Sequence, residues 1–355
     1  MYYYIKEVNE FEDLKNTAGI KARDDVECIL EKCGYKSIFI KSLNEERKSA
    51  SKFMKLLWHF RVKKMWCKSA DELKDGDVLL VQIPVIEHSL FLESAFKKIK
   101  KKGVNIIFVV HDLESLRFSN RKGIGIFMRL RVKIEDNILL DADNIIAHNK
   151  KMANILRKKT KNNCNIVSLG LFDYLSNDIK HENKERHALN KPVVIAGTLR
   201  KHKAKYVYSL PNDLKYNLYG VGYEGKNDEN IKYYGAFPPE ELPNIIEGSF
   251  GLVWDGDSTD TCSGIYGRYL KINNPHKVSL YMASGIPVII WKEAALADFI
   301  LKNNCGFVIE TLNDISKKID SLSDDEYKEM LFNVNKIKTM VNEGYYLKNA
   351  ISKCV

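Results

Sequence analysis

Short apolar runs alternate along the chain with longer segments in which apolar residues recur at helical spacing. Two of these runs, Asp77–Ile83 and Val104–Val110, are almost continuously apolar, which is typical of parallel strands buried on both faces. The same pattern predicts strands at residues 2–8, 37–40, 144–147 and 165–168, and helices at 21–33 and 89–102. This repeated order of strand, helix and strand predicts a doubly wound α/β domain.

The pattern restarts after a polar and charged stretch, Asp173–Lys191, which is the best linker candidate. Beyond it, strands are predicted at residues 192–196, 217–219, 250–254, 287–291 and 306–309, with helices at 277–283 and 324–343. Ser323 and Glu326 have the spacing of a capping box. The sequence therefore predicts two Rossmann-like domains, at 1–172 and 190–335. Ligands of open α/β sheets bind beyond the carboxyl ends of the strands, so we expect the two domains to face each other across a cleft.

Composition narrows the class of partner. The 355 residues carry a net charge of +10, which favours an anionic partner: nucleic acid, a phosphorylated small molecule or a membrane surface. The seven cysteines are scattered and form no CxxC pair, which argues against a disulfide framework and against a thiolate zinc site. The chain shows neither a signal-peptide pattern nor a run of eighteen apolar residues, so we expect a cytoplasmic protein.

The strongest ligand-binding signal lies in Gly251–Ile290. A predicted strand ends there at Trp254, and a glycine-containing loop with Gly264 follows. Asn274 then suits the N-cap of a helix, and Pro275 suits its first helical position. The free N–H groups at such a helix start attract anions.

Positive charge surrounds that predicted helix start, from Lys271, His276 and Lys277. We expect a diphosphate group to bind there. The alternative is that Asn-Pro only begins a helix and the lysines are solvated. A second signal follows the strand at 192–196, where small residues allow a ligand to approach the backbone. Thr198, Arg200 and Lys203 belong to that segment, and both cations could reach a phosphate; the alternative is a surface loop with incidental charge.

Two further motifs carry less weight. Gly220–Gly225 matches G-x-G-x-x-G, but no helix-forming segment follows it. We expect a strand end and a turn there, with Tyr219 near a base or a sugar. Asp255 and Asp257 resemble a D-x-D metal site, but no third ligand is evident and we predict no bound metal.

In the first predicted domain, the candidate catalytic and ligand-binding residues come directly after predicted strands. Thr17 and Gly19 lie in a predicted loop after the first strand and could contact a phosphate or a sugar. His111, Asp112 and Glu114 follow the strand at 104–110 and are the candidates for a general base. The alternative is that Asp112 or Ser115 caps the next helix. Four more polar or loop residues are expected along the same edge of the sheet: Gln82, Pro84, His148 and Asn149.

Residues 36–68 contain ten Lys or Arg and two Glu. Their apolar residues recur at roughly helical spacing, so this segment is either a basic helix lying on an anionic membrane or a core helix with a solvated basic face. Nucleic acid is a third option, but the chain has no recognised nucleic-acid-binding motif.

The stretch GLVWDG…NNPHKVSLYMASGIPVIIW, preceded by IAGTLRK and NLYGVG, resembles the bacterial glucosyl- and galactofuranosyl-transferases of surface-glycan assembly. NTAG near the start of the chain and HDLESLR after the fourth strand extend the resemblance over nearly the whole sequence. It implies a GT-B fold and a C-terminal domain that binds a nucleotide-sugar donor, usually a UDP-sugar. It also implies an N-terminal domain that binds a lipid-linked or protein-linked glycan, and catalysis without a cofactor or a bound metal.

The resemblance also implies roles for single residues. Thr17, Arg200, Tyr219 and Lys271 would contact the donor nucleotide, with the helix start at 274–277 nearby. A C-terminal helix at 336–355 would pack back on the first domain, and members can be homo-oligomers. The E-x7-E pair of many retaining GT-B enzymes is absent, because position 277 is Lys.

The sequence thus predicts a glycosyltransferase that moves glucose, galactose or galactofuranose from a UDP-sugar to a glycan. We expect it in the cytoplasm, with peripheral contact at the inner face of the membrane through residues 36–68. The competing hypotheses are a non-catalytic GT-B partner subunit, a nucleic-acid-binding protein and a two-domain nucleotide-sugar epimerase.

Overall fold

The computed structural model describes residues 1–8, 18–41, 52–118, 125–160, 163–176 and 186–355. The chain divides into two compact units. The first comprises Met1–Glu12, Val26–Leu169 and Lys348–Val355, and the second comprises Asp13–Asp25 and Gly170–Leu347. Within the described ranges, no helix combines the length and the hydropathy needed to cross a membrane.

The first unit contains a six-stranded sheet in which every neighbouring pair is parallel, with the order β2-β1-β3-β4-β5-β6. Its strands are β1 (Tyr2–Val8), β2 (Lys36–Lys41), β3 (Val78–Ile83), β4 (Asn105–Val110), β5 (Asn144–Ala147) and β6 (Asn165–Ser168). Its helices are α1 (Ala18–Lys32, shared with the second unit), α2 (Lys52–Ser69), α3 (Leu92–Lys101), α4 (Glu114–Arg117), α5 (Ile126–Leu140) and α6 (Lys150–Lys159).

The core of the first unit lies between this sheet and its helices. All six residues of β3 are buried, as the continuous apolar run predicts. The Phe96 ring of α3 lies between Trp66 of α2 and Phe108 of β4, with both centroid distances at 5.3 Å. This stack anchors α2 and α3 on the sheet.

The second unit contains another six-stranded sheet with parallel neighbours throughout, in the order β12-β11-β10-β7-β8-β9. Its strands are β7 (Val193–Thr198), β8 (Tyr216–Val221), β9 (Ile231–Tyr233), β10 (Gly251–Val253), β11 (Val288–Trp291) and β12 (Gly306–Ile309). The remaining helices are α7 (Lys201–Ala204), α8 (Leu242–Ile245), α9 (Gly264–Tyr269), α10 (His276–Ser284), α11 (Ala297–Lys302), α12 (Ile315–Asp320), α13 (Asp324–Asn342) and α14 (Tyr345–Ile351).

One buried tyrosine fixes α10 beneath the second sheet. The Tyr281 hydroxyl accepts a hydrogen bond from the Ala196 amide of β7 at 2.9 Å and lies 3.2 Å from the Leu252 carbonyl of β10. Gly251 makes room for the ring, because a Cβ there would lie 2.3 Å from it. These contacts set the position of the helix residues one turn earlier, which include Lys277.

Most predicted elements are present with shifted ends. The capping box of Ser323 and Glu326 at the start of α13 is confirmed. The sequence pattern missed the strand β9 and the helices α5 and α6, and it also missed the shorter helices α7, α8, α9, α11 and α12. The two parallel α/β sheets bear out the predicted fold class, while the predicted domain boundaries and the packing of residues 336–355 stay predictions.

Candidate active site

Two glycines bring the ends of β7 and β8 close together. Gly197 pairs with Gly220 in the register of the sheet. Gly220 has φ +138°, and a Cβ there would lie 1.8 Å from the Gly197 carbonyl oxygen. Since no side chain covers the backbone at these two positions, a ligand can approach this carboxyl edge of the sheet. Thr198, the last residue of β7, lies directly beyond Gly197.

A buried ion pair lies beside this edge. The Lys277 Nζ is 2.9 Å from Asp255 Oδ1 and donates to the Trp254 carbonyl at 3.2 Å, at the end of β10. A Cβ at Gly197 would lie 3.3 Å from Lys277 Cε, so the lysine passes next to the end of β7. Burial alone would lower the pKa of Lys277, but the charge of Asp255 and the neighbouring Tyr281 raise it above its ordinary value. Lys277 is therefore a cation at neutral pH.

The predicted cap of the helix start is wrong. Helix α10 begins at His276, and Pro275 occupies the N-cap position with an extended ψ of 130°. The Asn274 side chain does not cap the helix; its amide donates to the Gly170 carbonyl at 3.0 Å. Asn274 therefore ties the loop before α10 to the segment that follows β6, which leaves the first N–H groups of α10 without that cap.

His276 does not add positive charge, contrary to the sequence prediction. Its ring stacks on Tyr174, with centroids 5.0 Å apart, and meets the edge of Phe172 at 5.9 Å. Burial, helped by the nearby charge of Lys21, lowers the pKa of His276 to about 3. The ring is neutral at pH 7, and within the described part of the chain its Nε2 has no hydrogen-bond partner.

Sequence reasoning missed a second buried ion pair in this unit, on α1. Lys21 donates to Asp25 and to the Leu175 carbonyl, and Asp25 accepts from the Leu175 amide at 3.1 Å. Burial raises the pKa of Asp25 to about 6 against the opposing effect of Lys21. The Lys21 Nζ also lies 5.0 Å from the centroid of the Tyr174 ring. The spacing of four residues on a predicted helix was the available signal.

The candidate residues at the start of the chain lie close to this pair in sequence. Gly19 belongs to the first turn of α1. Thr17 lies outside the described residues, so its predicted contact with the donor stays a prediction.

Two of the predicted cations follow β7. Arg200 is exposed at the N-cap of α7 and lies over the backbone of Gly222, where a Cβ would be 2.3 Å from Arg200 Cγ. The Lys203 Nζ lies 5.6 Å from the centre of the Tyr266 ring. Both basic residues thus lie near the carboxyl ends of β7 and β8.

The third predicted cation, Lys271, is held at the surface of the same unit. Its Nζ is 2.5 Å from Glu293 Oε2 and 5.1 Å from the centroid of the Trp291 ring at the end of β11. An anionic ligand that binds Lys271 would compete with Glu293 for the ammonium group.

Tyr219 is buried rather than open to a ligand. Its ring is 1% exposed and stacks on Tyr234, with centroids 4.9 Å apart and an interplanar angle of 5°. Its hydroxyl accepts from the Glu247 amide at 3.3 Å. Tyr234, which is 37% exposed, presents the outer face of this stack. The predicted contact of Tyr219 with a base or a sugar stays a prediction.

The first acid of the D-x-D motif is already engaged by another group. Asp255 is paired with Lys277, and the backbone amide of Asp257 donates to the Ser263 hydroxyl at 3.2 Å. Gly264 follows with φ +70°, and a Cβ there would lie 3.2 Å from the Asp257 carboxylate. Among the residues that the structure describes, no group of three or more His, Cys, Asp or Glu side chains is placed to hold a metal.

Comparison with known proteins decides the family. Residues 2–171 match the N-terminal domain of the glucosyltransferase 3-like family, and residues 193–354 match its C-terminal domain. The chain is 34% identical over 287 residues to the beta-1,6-galactofuranosyltransferase WbbI of Escherichia coli (strain K12), covering 80% of each chain. The chain belongs to the glucosyltransferase 3-like family. It is therefore a glycosyltransferase, and the resemblance to surface-glycan transferases is confirmed.

Solved structures agree on the fold of this glycosyltransferase. Sucrose-phosphate synthase from Thermosynechococcus elongatus superposes with a TM-score of 0.62 at 11% identity, covering 99% of each chain. An alpha,alpha-trehalose-phosphate synthase (UDP-forming) from Burkholderia vietnamiensis gives 0.58 at 9% identity, covering 99% of this chain and 100% of that one. The predicted GT-B fold is thereby confirmed.

In the first unit of the glycosyltransferase, the candidate bases lie beyond the end of β4. The His111 Nε2 lies 2.7 Å from the Gln82 side-chain oxygen at the end of β3. Because an amide oxygen only accepts, Nε2 is the donor of this hydrogen bond. Asp112 accepts from Arg117 at 2.5 Å. Glu114 lies 4.0 Å from the same guanidinium group.

The predicted helix cap in this region is wrong. Neither Asp112 nor Ser115 caps α4, whose N-cap position is Leu113. Instead the buried Glu135 of α5 accepts from the amides of Glu114 and Ser115 at 3.1 and 3.0 Å. No local pattern could reveal Glu135, because it lies about twenty residues further along the chain. Asp112 is thereby left to pair with Arg117 instead of the helix start.

Two more residues at this edge of the first sheet, Asn149 and His148, have structural roles. Asn149 caps α6 by accepting from the Met152 amide at 3.0 Å. His148 is buried after β5, and burial lowers its pKa to about 4. Both residues therefore support the edge rather than adding charge to it.

Proposed function

We propose that this glycosyltransferase transfers a hexose from a UDP-sugar to a hydroxyl group of a glycan acceptor. The candidate sugars are glucose, galactose and galactofuranose. The family name and the galactofuranosyltransferase relative support a hexose. The UDP-forming trehalose-phosphate synthase has the same fold, which supports a UDP donor.

The observation that carries the donor proposal is the buried ammonium group of Lys277 at the end of β10. Loss of UDP from the sugar places negative charge on a diphosphate, and fixed cations with free N–H groups stabilise that charge. Lys277 is held in place by Asp255, and the start of α10 lies one residue before it. Thr198 and the main chain of Gly264 belong to the same edge of the sheet and complete the proposed donor site.

Surface cations supply the outer part of the proposed donor site. Arg200, Lys203 and Lys271 follow β7 or precede α10, and each can form a charge-assisted hydrogen bond to a phosphate oxygen. Asn274 and His276 contribute shape and hydrogen bonding rather than charge, since the ring of His276 is neutral. Thr17 and Gly19 keep their proposed contacts with the nucleotide, whereas Tyr219 would act through Tyr234, the exposed ring of its stack.

We propose that transfer needs no bound metal ion. The carboxylate of Asp255, the first acid of the D-x-D motif, is neutralised by Lys277 at 2.9 Å. A divalent cation would have to displace this ammonium group against like-charge repulsion. The lysine therefore takes the place that a metal occupies in transferases that use such a motif.

Acceptor activation is assigned to the first unit. We propose His111 as the general base, because Gln82 orients its ring so that Nδ1 can take a proton. Asp112 is less suited to this role, because its carboxylate is held by Arg117 at 2.5 Å. Glu114 is the alternative base.

The partners follow from this reaction. The acceptor is a lipid-linked or protein-linked glycan, and the protein acts in the cytoplasm, at the inner face of the membrane when the acceptor is lipid-linked. Contact of residues 36–68 with anionic lipid and assembly as a homo-oligomer belong to the same proposal. The family assignment favours catalysis over the alternative of a scaffold subunit.

A transfer assay tests the proposal. The protein is incubated in EDTA with UDP-glucose, UDP-galactose or UDP-galactofuranose and with glycan acceptors, and products are identified by mass spectrometry. We expect UDP release that depends on acceptor, and an acceptor heavier by one hexose. Conversion of a UDP-sugar to its isomer without release of UDP would instead identify an epimerase.

A further inference from the structure

We propose that the N-terminal halves of α2 and α5 form a docking surface for an anionic lipid bilayer. Helix α2 is apolar on two opposite faces. Trp58, Val62 and Trp66 are buried in the core. Met54 is exposed one turn before Trp58, and the other side of the helix exposes Leu56, Leu57 and Phe60. Exposed apolar groups of this size on neighbouring positions mark an interaction site rather than an ordinary surface.

Helix α5 adds a second apolar group at its start. Ile126, Phe127 and Leu130 are exposed, and Phe127 is the most exposed large apolar residue in the described ranges, at 82%. Only the later residues of α5, such as Ile134 and Ile138, enter the core. The first turns of α5 thus carry apolar side chains that the described residues of the first unit do not bury.

The two apolar groups flank the start of the same helix, α3. The Phe60 ring of α2 stacks on Phe91, the N-cap residue of α3, with centroids 4.5 Å apart. Arg131 of α5 lines a small pocket together with Leu92, the first residue of α3. Both groups thus adjoin the start of α3, and we call them together the two-helix surface.

The positive charge of the two-helix surface favours an anionic lipid bilayer as its binding partner. Helix α2 carries six Lys or Arg and no acidic residue. The first eight residues of α5 carry Arg129, Arg131 and Lys133, again without an acidic residue. Apolar side chains that enter the headgroup region beside basic side chains are the pattern of interfacial membrane binding. A second copy of this chain would instead meet like charge on its own two-helix surface, which is unfavourable.

The position of the two-helix surface gives it a function. Helices α2 and α5 run back from the carboxyl edge of the first sheet to the starts of β3 and β5. Their N-terminal halves therefore lie on the edge from which His111 follows β4. Resting on the proposed function, this implies that the acceptor is a lipid-linked glycan, presented at the edge where its hydroxyl is activated.

Vesicle binding by the full chain tests the inference. Wild-type protein and the Phe60→Ser/Phe127→Ser variant are sedimented with vesicles of phosphatidylcholine alone or mixed with phosphatidylglycerol. We expect wild-type protein to bind only the mixed vesicles, and less as salt rises. We expect the variant to bind about tenfold more weakly, because two aromatic side chains no longer enter the interface. Phe332→Ser is the matched control, since Phe332 of α13 is 61% exposed on the second unit.

Three outcomes would overturn the inference: no binding to the mixed vesicles, equal binding to neutral vesicles, or an unaffected double variant. Light scattering that shows a dimer of wild-type protein and a monomer of the variant, without vesicle binding, would assign the surface to a second copy. Transfer to a soluble acceptor separates this inference from the proposed function. The double variant should keep that transfer, and an enzyme that binds vesicles but never releases UDP would overturn only the proposed function.

Discussion

The ammonium group of Lys277 lies 2.9 Å from the carboxylate of Asp255, and both side chains are almost buried at the end of β10. Lys277 stands one turn before Tyr281, whose hydroxyl is bound between β7 and β10. The strands that end at the proposed donor site therefore also hold the helix that supplies its cation. This arrangement couples the stability of the second unit to its proposed function.

Removing one partner of the Lys277–Asp255 ion pair should lower the stability of the protein. Lys277→Met leaves the Asp255 carboxylate buried without its cation, so we expect a loss of about 3–5 kcal/mol of unfolding free energy. Denaturant titration measures it. The double variant Lys277→Met/Asp255→Asn should recover most of that stability but not the affinity for UDP.

Lys292→Met is the matched control for the ion pair. Lys292 pairs with Glu310 in the same unit, but both side chains are exposed, so the loss should stay within about 1 kcal/mol. Equal losses for Lys277→Met and Lys292→Met would contradict the account of the buried pair.

Lys271 should contribute to binding of the donor and not to binding of the acceptor. Lys271→Gln removes one charge-assisted hydrogen bond to a phosphate, which predicts a Kd for UDP about tenfold to a hundredfold higher. Calorimetry gives the Kd, and steady-state kinetics give the KM of the acceptor, which should stay unchanged. Lys302→Gln, at the end of α11, is the control, and an equal rise in both constants would count against the assignment.

The proposed base predicts an effect on turnover. His111→Gln should lower kcat by about 10²–10⁴-fold with little change in the donor KM. Gln82→Leu removes the group that orients the ring, so it should lower kcat less and alter the dependence of kcat on pH. If Glu114→Gln abolishes turnover while His111→Gln does not, the base is Glu114.

Buried neutral histidines predict loss of stability in acid. The pKa of His276 is lowered to about 3 and that of His148 to about 4. The contribution of each neutral histidine to the free energy of unfolding is fully present above pH 6.5, the ordinary pKa of histidine. It is lost as the pH falls towards the lowered pKa, because the unfolded chain binds the proton first. Between its ordinary and its lowered pKa, each histidine makes the free energy of unfolding fall by about 1.4 kcal/mol per pH unit of acidification.

Thermal unfolding between pH 7 and pH 4 checks this slope. His276→Gln should unfold with a shallower dependence on pH than wild-type protein. His202→Gln, at an exposed position on α7, should leave the dependence unchanged. A slope that is the same in all three proteins would rule out the assigned role of His276.

Gly220 should tolerate no side chain. A Cβ there would lie 1.8 Å from the Gly197 carbonyl in a backbone conformation that glycine favours, so Gly220→Ala should destabilise the second unit by more than about 1 kcal/mol. Gly125→Ala is the control, because nothing lies within 4 Å of its Cβ position. The difference in melting temperature between the two variants measures the effect.

The fold could be predicted because buried parallel strands have a strong signature. Val78–Ile83 is apolar along its whole length, and all its residues are buried. Strand β9 was missed because it is only three residues long and is only partly buried. Local signals of this kind depend on neighbouring residues, so they predict elements well and element ends less well.

The site was harder to predict because its decisive contacts join distant residues. Lys277 was expected to be a free cation, whereas it pairs with Asp255 across 22 positions of the chain. His276 was expected to be charged, but burial against Tyr174 makes it neutral. Burial depends on tertiary packing, and spacing along the sequence does not report it.

The central claim is that the second unit binds a UDP-sugar through fixed cations. Thermal shift of the protein with UDP, GDP, ADP and CMP, each with EDTA or Mn²⁺, tests it most directly, because a ligand that binds only the folded state raises the melting temperature. We expect a rise that is selective for UDP and persists in EDTA. No rise with any nucleotide, or a rise only with Mn²⁺, would contradict the account.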